Sequence, residues 1–194
     1  MANAAPEQFT VFPLALGGNS FGWTSSAEES EQVLDAITEQ GGDFIDTADS
    51  YAHWAPGNVG GESERIIGAW MKARGNRDRV KVATKVAQHP EFRGLAPANI
   101  AAAADASLSR LDTDYIDLYY AHEPDASVPV VESVGAFDAL VKAGKVRHFA
   151  ISNFSADNIR EWMQLPDLMA SATLELSADE LETLNSSAHI PANR

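Results

Sequence analysis

Cysteine is absent from the 194 residues. That excludes disulfides and thiolate metal sites, and makes a reducing cytoplasm the expected location. Positive charge is scarce: 14 Lys and Arg stand against 28 Asp and Glu, a formal charge of −14. Binding to phosphate backbones needs a clustered basic surface, so no nucleic-acid partner is expected. Long apolar runs are missing as well. None approaches the roughly 20 residues of a membrane helix, and residues 1–7, Met-Ala-Asn-Ala-Ala-Pro-Glu, carry neither the basic nor the apolar region of a signal peptide. No membrane partner is expected. Low-complexity segments and tight repeats are also lacking. What remains is a chain that is 45% apolar with its charges spread along it. That composition suits one globular core, in a length too short for two ordinary domains.

The apolar pattern alternates between strand and helix signals. An apolar run over residues 10–16 ends in Gly17-Gly18, and Ser26-Ala-Glu-Glu29 reads as a capping box opening a helix. Val33, Leu34 and Ile37 give that helix one apolar face, and Gly41-Gly42 stops it. Phe44-Ile45 starts a second strand ending at Asp46. A loop over residues 50–61, rich in Gly and aromatics, leads into a helix carrying Ile66, Ile67 and Trp70. Strands are expected at 80–86, 115–120 and 146–151. Helices are expected at 98–111, from Pro129 to Lys142, and from a cap at Ser155 to Met163. Regular alternation with short loops means parallel β/α units. After Gln164 the alternation breaks: residues 165–174 and a segment capped by Ser177-Ala-Asp-Glu180 read as helix. The expected architecture is α/β, a single (β/α)8-type barrel domain over 1–194 that is incomplete. Residues 1–164 would form the first five units, and 165–194 a C-terminal helical segment; a closed barrel of eight units typically needs about 250 residues.

In such a barrel the C-terminal ends of the strands converge on one face. Asp46 ends the second strand with Tyr51 in the loop after it, Lys85 ends the third, and His122 follows the fourth. Together they suit proton transfer to a carbonyl oxygen. A free tyrosine, with a pKa near 10, is too weak an acid to work well near neutrality. A nearby ammonium stabilises the phenolate, and a carboxylate holds the ammonium. A histidine bonded to the carbonyl oxygen orients it and stabilises charge growing there. None of these groups delivers hydride, so a cofactor must.

Phe44-Ile-Asp-Thr-Ala-Asp-Ser-Tyr51, then Gly61-Glu-Ser-Glu64 with Ile67-Gly68, resembles the aldo-keto reductase signature. Val82-Ala-Thr-Lys85, Asp114-Tyr-Ile-Asp-Leu-Tyr-Tyr-Ala-His122 with Pro124-Asp125, and Ile151-Ser-Asn153 follow in that family's order. The resemblance covers about residues 11–164. It implies reversible NAD(P)H-dependent reduction of an aldehyde or ketone, with NADPH the expected cofactor, NADH possible, and a small carbonyl compound as substrate. It implies Tyr51 as general acid, Lys85 as the group that lowers its pKa, and Asp46 as partner of Lys85 near the nicotinamide ribose. His122 would orient the carbonyl. Ser152 and Asn153 would bind the nicotinamide carboxamide, the backbone at Gly22-Trp23 would line the ribose and pyrophosphate, and Trp54 would wall the substrate pocket.

The departure from the family lies between Gln164 and Leu165, where the last three strands belong. Those strands normally supply an aromatic that stacks on the nicotinamide and basic residues that grip the 2′-phosphate. An internal deletion, part of a longer polypeptide, and a fragment completed by another chain all stay open, as does oligomeric state. The rival reading is an inactive truncated barrel or ligand-binding scaffold. A metal-dependent barrel hydrolase is disfavoured because no strand carries a His-x-His pair, and His53, His89, His148 and His189 lack ligand spacing, so no metal is expected. Gly60-Gly61 reads as structural, since Glu62 and Glu64 would repel an anion. Asp112, Asp114 and Asp117 read as solvated residues flanking a strand, and Trp162 and Met163 as core.

Overall fold

The computed structural model describes residues 9–163. Five strands, β1 (Ala15–Gly17), β2 (Phe44–Asp46), β3 (Lys81–Val86), β6 (Ile116–Ala121) and β7 (Val146–Ile151), form one parallel sheet in the order β1-β2-β3-β6-β7. Between them run α1 (Ala27–Glu39), α2 (Glu62–Arg74), α3 (Pro97–Leu111) and α4 (Val130–Lys142), and α5 (Ala156–Met163) follows β7. Successive helices pack on one another, α1 on α2 through to α4 on α5. This is the α/β arrangement of a partial barrel with five β/α units. The segment expected to be helical over 165–194 lies outside the described residues.

Local chemistry sets the element ends. Ser26 and Glu29 cap α1 reciprocally, side chain to backbone in both directions. Gly61 and Gly75 bracket α2 in the left-handed region, and Pro97 opens α3 at its first turn. Pro129 stands one residue outside α4 as its N-cap. Strands β3 and β6 are buried almost throughout, as strands covered on both faces must be. By contrast, β7 is half-exposed beyond Val146, as suits an edge. The core between sheet and helices is built on Leu34, Ile67, Trp70, Leu111, Phe137 and Trp162.

Three expectations need correction. The first strand is only three residues long, because Pro13 interrupts the apolar run and Phe12 instead donates its N–H to Asp43. A two-stranded hairpin, β4 (Gln88–His89) with β5 (Phe92–Arg93), follows β3 and was not expected. Asp117 is not solvated: it is 7% exposed, pairs with Arg77 at 2.7 Å and accepts the N–H of Val82 at 2.9 Å. Arg77 sits on a 3-10 turn (Arg77–Arg79) 40 residues earlier in the chain.

Candidate active site

The C-terminal ends of β2, β3 and β6 bring four of the expected residues to one place. Lys85, 6% exposed, stands at the centre. Its Nζ donates to Asp46 Oδ2 at 2.7 Å, to the Thr47 carbonyl at 2.8 Å and to Tyr51 Oη at 3.2 Å. An ammonium has three N–H donors, and all three are engaged. Strand pairing fixes this geometry: Asp46 lies beside Ala83 in the β2–β3 register, Thr47 N–H continues to the Ala83 carbonyl, and Asp49 N–H reaches the Lys85 carbonyl. The loop after β2 thus wraps round the lysine and returns Tyr51 above it.

His122 follows β6, with its backbone N–H on the Val86 carbonyl and its ring 6.0 Å from that of Tyr51, edge to face. Burial, and then the neighbouring Lys85 charge, push it down to about 4. Near neutrality the imidazole is therefore uncharged and carries one N–H donor. Its Nδ1 is buried and has no hydrogen-bond partner among the described residues.

The outer wall is aromatic. Trp54 packs edge to face on Tyr51 and on Trp23, with ring centroids 5.7 Å apart in each pair, and His53 lies against it at 5.4 Å. Trp23 and Trp54 are 52% and 42% exposed, so both line open space rather than core. Gly22 precedes Trp23 at φ 75°, and its carbonyl accepts the Asn58 side-chain amide. At the end of β7, Ser152 N–H bonds the Ala121 carbonyl. Asn153, at φ 60°, donates its amide to the His122 carbonyl at 2.8 Å and to Ser152 Oγ at 3.2 Å.

Several participants escaped the sequence reading. The Thr47 carbonyl is a backbone group, invisible to any side-chain motif. Behind Lys85 lies a buried polar cluster: Glu64, fully buried, accepts from Thr84 and pairs with Arg110, and Asp49 lies beside it with neither carboxyl oxygen bonded among the described residues. Burial, reinforced by the Glu64 charge, pushes Asp49 up to about 8. Position 49, three residues after Asp46, carried a signal only as part of the motif. Glu62 accepts the N–H groups of Val59 and Gly60, so Gly60-Gly61 closes a turn. Among the described residues no group of three His, Asp or Glu side chains is arranged to hold a metal ion, and no helix is long and apolar enough to cross a membrane.

The family model for the aldo/keto reductase family matches residues 13–187, most of the chain. The chain belongs to the aldo/keto reductase family. It is 39% identical over 149 residues to the aldo-keto reductase YhdN of Bacillus subtilis, covering 75% of this chain and 43% of that protein. It is 38% identical over 163 residues to norsolorinic acid reductase B of Aspergillus parasiticus, covering 75% and 41%. The chain thus spans about two fifths of the length of these curated relatives.

Proposed function

We propose that this aldo/keto reductase chain carries the proton-transfer half of an NAD(P)H-dependent carbonyl reductase acting on a small aldehyde or ketone. The observation that carries the reading is the contact of Lys85 Nζ with both Tyr51 Oη and Asp46. Tyr51 gives its phenolic proton to the carbonyl oxygen. The Lys85 ammonium stabilises the phenolate left behind, and Asp46 keeps the ammonium in register. Neutral His122 orients the carbonyl oxygen through a ring N–H and supports the charge developing there. Trp54, with Trp23, gives the substrate an apolar wall.

The end of β7 fits a nicotinamide carboxamide. Both Asn153 amide donors point to acceptors within the chain, which leaves the Asn153 oxygen as acceptor and the Ser152 hydroxyl as donor, the complement of a primary amide. Gly22 and Trp23 would line the ribose and pyrophosphate, with NADPH the expected cofactor and NADH the alternative. When bound, the nicotinamide supplies hydride. A cytoplasmic location accords with this reading.

The test is carbonyl-dependent NADPH oxidation over a panel of aldehydes, with Tyr51→Phe alongside. The variant is expected to lose roughly 10² to 10⁴-fold in kcat while its NADPH affinity, read by nicotinamide fluorescence, stays unchanged. Unchanged turnover, measured where chemistry is rate-limiting, points to another acid. Absence of both dinucleotide binding and turnover in the unaltered chain favours the inactive scaffold.

A further inference from the structure

Ser63 belongs to the Gly61-Glu-Ser-Glu64 motif, to which the reductase reading gives no role. It is fully buried at the second position of α2. Its hydroxyl oxygen accepts the Thr47 hydroxyl at 2.8 Å, and its backbone N–H donates to the Tyr51 carbonyl at 3.3 Å. Those two partners flank the Lys85 ammonium: the Thr47 carbonyl receives one of its N–H groups and the Tyr51 hydroxyl another. One residue on a helix therefore ties down both ends of the loop segment that wraps the lysine. Gly18 makes the room. A Cβ there would lie 2.7 Å from Ser63 Oγ and 3.4 Å from the Asp46 carbonyl, which Gly18 itself bonds through its N–H at 2.8 Å. Asp46, Thr47 and Tyr51 are thus each anchored from outside the loop, two of them by Ser63.

We infer that Ser63 is a positioning residue that sets the Lys85–Tyr51 contact by holding Thr47 through its hydroxyl and Tyr51 through its backbone. Thr47 is fully buried and its hydroxyl has no other bonded partner among the described residues, so loss of the Ser63 oxygen leaves a buried donor unpaired. Without the Ser63–Thr47 hydrogen bond the Thr47 peptide is no longer held and can rotate, which withdraws its carbonyl from Lys85. The ammonium then shifts toward Asp46 and away from the phenol.

The inference builds on the proposed roles of Lys85 and Tyr51, and its test reads their contact directly, without cofactor or turnover. A failed reductase assay would leave it standing. The full chain is labelled with 3-fluorotyrosine, the Tyr51 fluorine resonance is identified by its loss in Tyr51→Phe, and its position without the ammonium is set by Lys85→Met. In Ser63→Ala and Thr47→Val that resonance is expected to move toward the Lys85→Met position. Thr47→Ser, which keeps the hydroxyl, is expected to leave it in place. Ser133→Ala removes another buried hydroxyl, bonded to the Leu95 carbonyl, and is expected to lower the melting temperature without moving the resonance. Acylation of Lys85 relative to Lys81, read by peptide mass, gives a second measurement that tolerates association or broad lines. The ratio is expected to rise in Ser63→Ala and Thr47→Val only. If both variants melt earlier while the Tyr51 resonance and the Lys85 ratio stay at their unaltered values, Ser63 is merely structural and the inference is overturned. Should Ser63→Ala not fold, Thr47→Val, which keeps the branched shape of the side chain, decides alone.

Discussion

Asp49 shows how one side chain can set the pH response of this protein. It is buried with no hydrogen-bond partner for either carboxyl oxygen among the described residues, and it also faces Glu64, whose repulsion Arg110 and Lys85 only partly offset. A carboxyl held near 8 in the fold, against 3.8 ordinarily, keeps a proton that the unfolded chain has already released over that interval. Its contribution to stability is intact below about pH 4 and is lost steadily as pH rises toward 8. Asn at this position cannot ionise. Asp49→Asn is therefore expected to gain on the unaltered protein as pH is raised from 5 to 8, by on the order of a few kcal/mol. Thermal melts at several pH values check this, and a difference that stays flat with pH would place the ionisation elsewhere.

Among the elements, α2 and α3 approach each other closely at Gly68. Gly68 lies in the middle of α2, and a Cβ there would sit 2.6 Å from the Arg110 carbonyl oxygen and 2.7 Å from the Leu111 carbonyl. These are backbone atoms and cannot swing aside. Gly68→Ala is expected to destabilise by about 1–3 kcal/mol, although Ala favours a helix interior over Gly. The measurement is a denaturation midpoint, and a stabilised variant would mean that the helices separate freely. Both partners of this joint were legible: Gly68 lay within the recognised motif, and α2 and α3 announced themselves through apolar spacing. The hairpin β4–β5 was not, because two-residue strands are too short to display alternation. Asp117 misled for a related reason: a charged residue in a strand looks solvated until a guanidinium from a distant turn closes over it. Asp46, Tyr51, Lys85 and His122 could be read because the topology carries strand ends to one rim. The contacts of Ser63 and the Thr47 carbonyl depend on backbone placement that no local pattern encodes.

For the molecule as a whole, the governing feature is the sheet's outer edge. Among the described residues β7 pairs only with β6, and residues 147–151 are half-exposed or exposed. A parallel strand in that position offers unpaired N–H and C=O groups along its free side. The 194-residue chain is therefore expected to associate in solution, with an apparent mass that grows with concentration in size-exclusion chromatography coupled to light scattering. A strictly monomeric species at all concentrations would show that the edge is covered. The net charge of −14 opposes association at low ionic strength, so salt should promote it.

The edge-to-face pair of Trp23 and Trp54 has an optical corollary. Two indoles whose centroids lie 5.7 Å apart at an interplanar angle of 87° absorb as a coupled, chirally disposed pair, not as independent chromophores. The near-ultraviolet circular dichroism should contain a feature that disappears in both Trp23→Phe and Trp54→Phe, leaving far-ultraviolet signal unchanged. Because Trp54 also rests on Tyr51, anything that enters beside the phenol must disturb this pair, and the mouth of the site reports its own occupancy without an added dye.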